Sequence, residues 1–392
     1  MLRRIGWEER RARLALRHRL APEARAASVP DAAAAVVALH STDPASVYLS
    51  AAVRLCDPTV QAIERALYEE RALVRILGMR RTMFVVPRDL VAVVHAACTR
   101  SIAAAERRLL VKRLEQGGVG GDVAAWLRRV EDATERVVRD RGEVFGAELA
   151  AEVPELRTRI LMNEGKNYEG LLNVTTRVLF LLSADERIVR GRPRGSWIST
   201  QFRWSPMDAW LPGGIDDLPP AMARAELARR WLGAYGPATA ADLRWWTGWT
   251  ARDVAQAARD AGAVEVGLDE GPGLLLAGDV EPAPAPGPWV ALLPALDPTV
   301  MGWIGRRWFL GDHAGALFDR TGNAGPTVWW DGRVVGGWAQ RGDGEVVFRL
   351  LEDVGADAAR AVEAEAARLT AWIGPVRVTP RFRTPLEREL SA

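Results

Sequence analysis

The chain has 392 residues, a length that calls for roughly two to four domains. It is 48% hydrophobic and 26% charged with a net charge of +2, which excludes a disordered chain and leaves no overall basic field for nucleic acid. The two cysteines, Cys56 and Cys98, are isolated, which excludes a disulfide framework and a cysteine-based metal site.

The first residues, Met1 to Glu9, lack an apolar signal core, and the longest apolar runs fall far short of a membrane span, so the expected location is the cytoplasm, with no membrane contact. Residues 31–40, 44–55 and 58–70 read as helices. Two β runs follow at 72–77 and 82–86, joined by the turn Gly78-Met79-Arg80-Arg81. Between the first two helices lies His40-Ser41-Thr42-Asp43-Pro44, a polar cluster that serves either as a site or as ordinary capping. Asp before Pro suits an N-cap followed by Pro at the first helical position, and Asp57-Pro58 and Asp297-Pro298 repeat the dipeptide.

Two amphipathic runs, 88–116 and 122–141, are separated by the glycine-rich stretch Gly117 to Gly121. A second unit opens at residues 142–149, with a helix expected over 168–182 and β runs at 188–190 and 196–198. Arg192, Arg194 and Arg203 surround its second turn. A third unit opens at Gly236-Pro237-Ala238-Thr239, where Thr239 and Asp242 suit a capping box. Its helix runs over 251–260 and its β runs over 264–266 and 274–276. After the Pro-rich linker at 281–288, Asp331-Gly332 marks a type I′ hairpin flanked by Trp329, Trp330 and Arg333, then come a strand at 345–351 and a helix at 356–373.

Helices followed by a hairpin, three times over, match the winged-helix plan, in which one helix enters the major groove and the hairpin touches the backbone. The expected organisation is a first winged helix at 1–87, a helical connector at 88–141, a second winged helix at 142–205, a third at 206–280 and a β-rich domain at 289–392. Lys112 and Lys166 are the only lysines. A GC-rich genome explains that preference, and clustered arginine is also compatible with DNA contact. Arg80, Arg81, Arg192, Arg194, Arg203 and Arg333 are the candidate DNA-binding cations. Trp329 and Trp330 alternate in direction, so one suits the core and the other DNA or solvent. His18, His95 and His313 have no second ligand nearby, and no zinc or phosphate-loop motif occurs, so neither metal nor cofactor is expected.

The ordered landmarks resemble the AlkZ/YcaQ family of bacterial winged-helix DNA glycosylases. They are the junction ending in Asp43-Pro44, Leu73-Val74-Arg75 running to Met79-Arg80-Arg81-Thr82, Tyr235 to Thr239, Leu293-Pro294-Ala295-Leu296-Asp297-Pro298, and Gly322-Asn323 with Pro326 to Val328 and Asp331 to Gly336. The resemblance implies an α+β chain of three winged helices and a C-terminal β domain around a concave channel. It implies duplex DNA, alkylated, as partner, a monomeric state, and removal of bulky or crosslinked N7-alkylated purines by a monofunctional glycosylase. Members place Gln-x-Gln or Gln-x-Asp at the junction to handle the attacking water. Here His40 and Thr42 stand in those places, and Arg81 and Phe84 replace a glycine and a histidine common in the second motif.

Alkylation at N7 makes the base a good leaving group, so the chemistry needs a placed water and tolerance of an oxocarbenium-like sugar. A neutral imidazole and a hydroxyl can accept hydrogen bonds from that water, whereas a protonated His40 would repel both cations. His40, Thr42 and Asp43 are thus the candidate catalytic residues, with structural roles as the competing reading: Asp43 as a cap, His40 as a satisfied histidine, Thr42 as a second cap. The alternative for the whole chain is a DNA-binding protein that has lost the glutamine pair and its chemistry.

Overall fold

The computed structural model describes residues 2–162, 165 and 169–392, and mixes helices with small antiparallel sheets. In the first sheet the short strand Leu39–His40 pairs with Thr82–Pro87, which pairs in turn with Leu73–Gly78. The second sheet repeats this order with Val144–Phe145, Phe202–Pro206 and Ile188–Pro193. The third has the hairpin Ala263–Leu268 and Gly271–Leu276, with Ala238 bridging to Leu274 where the other units have their short strand. A four-stranded meander follows, formed by Val290–Leu293, Thr327–Trp330, Arg333–Gln340 and Val346–Leu350.

Local signals set several of these elements. Thr239 and Asp242 form the expected capping box for helix Ala240–Thr247. Helix Ala251–Asp260 starts from Thr250, whose hydroxyl accepts the Asp253 N–H. Asp331 and Gly332 take φ of 47° and 82°, the left-handed pair that a type I′ turn demands. Helix Ala356–Ile373 spans the predicted segment.

Elsewhere tertiary contacts override the local reading. The first expected helix is shorter, Val29–Ala34, because Leu39 and His40 leave it to pair with Val85 and Phe84. The third starts at Val60 with Thr59 as its cap, so Asp57 caps nothing. No helix follows Asp297, whose side chain is engaged elsewhere. The run beginning at Arg88 is broken by a wide turn at His95–Thr99, where the Thr99 hydroxyl donates to the Leu77 carbonyl.

Two corrections fall in the second unit. Its helix is Thr175–Ala184, preceded by a hairpin of Arg159–Met162 and Gly170–Asn173 that the sequence reading missed. The predicted start, Tyr168, and Lys166 lie outside the described residues. Leu161 and Leu171 point outward, and these exposed apolar residues hid the alternation that marks a strand. The predicted strand at 196–198 is a turn, and Phe202–Pro206 pairs instead. Trp197 is drawn out of the sheet into the main core, 5.3 Å from Tyr48 and 5.9 Å from Trp372 between ring centroids.

Two cores result. One runs from Leu14 to Leu390 and joins the first unit, the third unit and the meander, and it takes in Val189 and Trp197 of the second unit. The other, from Leu110 to Trp204, is built by the connector helices Arg100–Gln116 and Val123–Arg141 with the second unit. Among the described residues no helix is long and apolar enough to cross a membrane.

Helix Pro44–Ala52 is buried along its whole length. Just beyond it, Arg54 forks both oxygens of Asp297 at 2.9 and 2.7 Å and also donates to the Thr299 hydroxyl at 2.8 Å. Neither member of the pair reaches solvent. Burial alone would raise the Asp297 carboxyl, but Arg54 outweighs it and holds the group below the usual carboxylate value. Removing one partner strands the other charge. Arg54→Ala should therefore cost about 3–5 kcal/mol in urea unfolding, and Arg54→Met with Asp297→Leu should recover most of that loss. A single-variant cost below about 1 kcal/mol would show that the pair does not hold the fold.

Candidate functional site

Asp43 is the N-cap of helix Pro44–Ala52, and its Oδ1 accepts the Ala45 N–H at 3.1 Å. Its Oδ2 accepts the backbone N–H of Arg381 at 3.0 Å, so both oxygens are occupied by main-chain donors. Burial raises this carboxyl above the usual value, opposed by those two N–H groups and by the Arg381 charge. The capping role is thus observed, and Asp43 also ties the junction to the C-terminal segment.

His40 sits on the edge strand with 7% of its surface exposed, its ring 5.4 Å from that of Phe84 in an edge contact. Burial, with a smaller push from the Arg80 charge, lowers its pKa to about 3, so the ring is neutral at ordinary pH. Nδ1 lies 3.5 Å from the Thr42 N–H, a long hydrogen bond in which the histidine nitrogen accepts. Thr42 caps no helix. It lines a cleft of about 1250 Å³, and its carbonyl accepts from Nη1 of Arg381 at 3.3 Å. Of the two residues expected to handle the water, Thr42 reaches the cleft, and His40 packs behind it.

The cleft runs between the two cores. Ser41, Thr42, Pro44 and Arg381 form one side, and Phe145, Leu179, Phe202 and Trp204 belong to the other. Arg159, Arg190, Arg194 and Gln201 also line it. Glu148 is the carboxylate on its wall, and it accepts the Phe145 N–H at 2.7 Å at the start of helix Gly146–Glu152.

The predicted DNA-binding residues are scattered. Arg194 lines the cleft, its guanidinium 4.1 Å from the Phe145 ring centroid, and Arg203 lies 5.2 Å from the same ring. Arg80 and Arg81 occupy the first turn with positive φ of 52° and 61°, a conformation that disfavours side chains bearing a Cβ. Arg80 stacks on Trp245 at 3.9 Å, and Arg81 pairs with Glu106 at 2.8 Å. Arg192 is held by Glu64 at 2.8 Å and Glu69 at 3.1 Å, and Arg333 by Glu352 at 2.8 Å. Trp330 is half-buried. Trp329 is fully buried, stacked 5.2 Å from Phe309, with its indole N–H donating to the Thr327 hydroxyl at 2.9 Å. Trp329 is therefore a core residue rather than a groove-reading one, on a strand where Val328 is fully buried as well and a bulge separates the two.

Sequence reasoning missed Arg75, Arg190 and Arg381. Arg75 stands in the middle of the apolar run Leu73 to Leu77, where a lone arginine reads as the solvent face of a strand. Both faces of that strand are in fact covered, and Arg75 is 3% exposed. Among the described residues, no group of three or more His, Cys, Asp or Glu side chains is arranged to hold a metal ion.

A family model described as DNA glycosylase AlkZ-like matches residues 33–372, a span that includes the junction, the arginine turn and the hairpin at Asp331. No curated protein matches the sequence. The solved structure of Streptomyces sahachiroi DNA glycosylase AlkZ shares the fold, with a TM-score of 0.72 at 20% identity over 96% of this chain and 99% of that one. Given the extent of the family match, the chain belongs to the AlkZ-like DNA glycosylase family.

Proposed function

We propose that this protein is a monofunctional DNA glycosylase that releases N7-alkylated purines, bulky ones included, from duplex DNA. In this reading each repeated unit is a winged helix, and the cleft at Thr42 is part of a concave channel for the duplex. The observation that carries the proposal is Thr42 on the wall of an arginine-lined cleft, at the position where the family keeps its water-handling pair. The Thr42 hydroxyl accepts a hydrogen bond from the attacking water. His40, held neutral and bonded to the Thr42 N–H, fixes the loop without adding a charge that would repel the oxocarbenium-like sugar. Asp43 positions the same loop from its capping site. A cationic leaving base needs no general acid.

One observation favours the alternative of a DNA-binding protein without turnover: His40 does not line the cleft. Incubation with duplexes carrying small and bulky N7-guanine adducts, scored for free base and for strand breaks after alkali, separates the two readings. Wild type should release base. Thr42→Val should lose roughly 100-fold in rate, the lower end of what a positioned proton-handling group supplies. His40→Gln, which restores the family residue, should keep the activity. Tight binding without base release from any adduct would favour the alternative. Full rate in the His40→Ala and Thr42→Val double variant would remove both residues from the mechanism.

The pH dependence follows from the burial of His40. The folded ring takes a proton near pH 3, whereas an unfolded histidine does so near 6.5. Between those values the unfolded chain binds more protons, so stability falls as pH is lowered from about 6.5 toward about 3. The contribution of this ring approaches about 1.4 kcal/mol per pH unit within that window, and H40Q should remove it in urea melts at stepped pH. Base release should show no acid limb near 6.5 that H40Q abolishes, because the folded ring is already neutral there.

A further inference from the structure

Three guanidinium groups gather at Thr42 without a matching carboxylate. Arg75 is nine-tenths or more buried. Its Nε donates to the Ser41 hydroxyl at 2.8 Å, and its head lies 4.4 Å from the Phe202 ring centroid. Both of its Nη atoms are buried without a hydrogen-bond partner among the described residues. Arg190, on strand Ile188–Pro193, lines the cleft 5.7 Å from the Phe202 ring and 5.3 Å from the Trp204 ring. Among the described residues it makes neither a hydrogen bond nor an ion pair. Arg381 completes the group, anchored on the Thr42 carbonyl at 3.3 Å.

Desolvated cations are ordinarily paired, and like charges brought together raise the cost further. Burial, reinforced by the charges of Arg75 and Arg381, pushes Arg190 down to about 10. Arg192 and Arg333, by contrast, each have acidic partners. Glu148, the carboxylate on the same wall, is not among the charged groups acting on Arg190. The unmet charge calls for an anion, and planar donor forks beside one another suit the oxygens of a phosphate.

We propose that Arg190 and Arg381 bind one phosphate group, with Arg75 adding its charge from the layer behind, and that the phosphate belongs to the backbone of a DNA strand seated in the cleft. This rests on the reading that the cleft takes DNA. It assigns the arginine wall to the strand and not to the cationic base. The bound phosphate would set the register of the strand against Thr42, so Arg190 and Arg381 are positioning residues for base release.

The test reads binding to an undamaged duplex by fluorescence anisotropy over a range of salt, which needs no turnover. The R190Q/R381Q double variant should reduce the slope of log affinity against log salt by about 1, the share of one phosphate, and R190Q and R381Q should each remove part of it. Arg190→Lys should keep the slope and bind more weakly. A scan of single neutral methylphosphonates along the duplex should find one position that weakens wild type and leaves the R190Q/R381Q double variant unaffected. Unchanged slopes in both Gln variants, or no such position, would overturn the proposal. A thermal-shift series with inorganic phosphate and pyrophosphate separates the sources. Stabilisation of wild type but not R190Q, with no coupled methylphosphonate position, assigns the site to a free phosphate and overturns the DNA assignment. If no duplex is bound even at low salt, the DNA reading of the cleft fails, while the thermal-shift series still decides whether the arginines bind an anion.

Discussion

The buried fork of Arg54 on Asp297 sets the position of helix Pro44–Ala52, and the junction at Thr42 hangs from that helix. A helix buried on all sides gains little register information from apolar contact, because one small side chain replaces another at modest loss. Polar contacts supply the register. The chain beyond the C-terminal end is tied to Asp297, Ser46 donates to the Ala295 carbonyl at 2.7 Å, and Asp43 accepts from Arg381 at the N-terminal end. Each of these reaches from the first unit to a segment more than halfway along the chain. The neighbours of Thr42 are therefore chosen by long-range contacts, although the residue lies in a short local motif.

That division explains how much the sequence disclosed. The cap at Asp43, the box at Thr239 and Asp242, the turn at Asp331-Gly332 and the helix from Ala251 all depend on a few adjacent residues, and each was legible. The strand expected around Trp197 was not, because an indole that finds a place beside Tyr48 and Trp372 outweighs local strand preference. The hairpin from Arg159 to Asn173 was hidden by leucines on its exposed face. At the site, the sequence singled out His40, Thr42 and Asp43 but not their relation, in which Thr42 faces the cleft and His40 lies behind it. Arg75, Arg190 and Arg381 come from three separate parts of the chain, and no local pattern joins them. The arginines in visible turns, Arg81 and Arg192, meet carboxylates that only folding brings near.

Charge is distributed by location rather than in bulk. A net charge of +2 conceals arginines held in ion pairs, such as Arg81 and Arg192, and a cleft where several are not. Neutral His40 fits the same scheme. Burial keeps a further positive charge away from a region that already holds three. The left-handed turn at Arg80 and Arg81 contributes as well, since it delivers Arg80 to the face of Trp245 in the third unit and so joins the first turn to a distant helix.

The separation of the apolar interior into two clusters has a mechanical meaning. Thr42, Pro44 and Arg381 ride on the larger cluster, whereas Leu179 and Trp204 belong to the smaller one, and the cleft is the gap between them. The two clusters are joined through the small cluster of Leu77, Ala103 and Ala184, which links the first hairpin to the connector and the second unit. A molecule that grips both walls would brace that joint, and the motion lost in the stiffening would be subtracted from its affinity. A ligand too narrow to touch both walls would forfeit the bracing, however well it matches one of them.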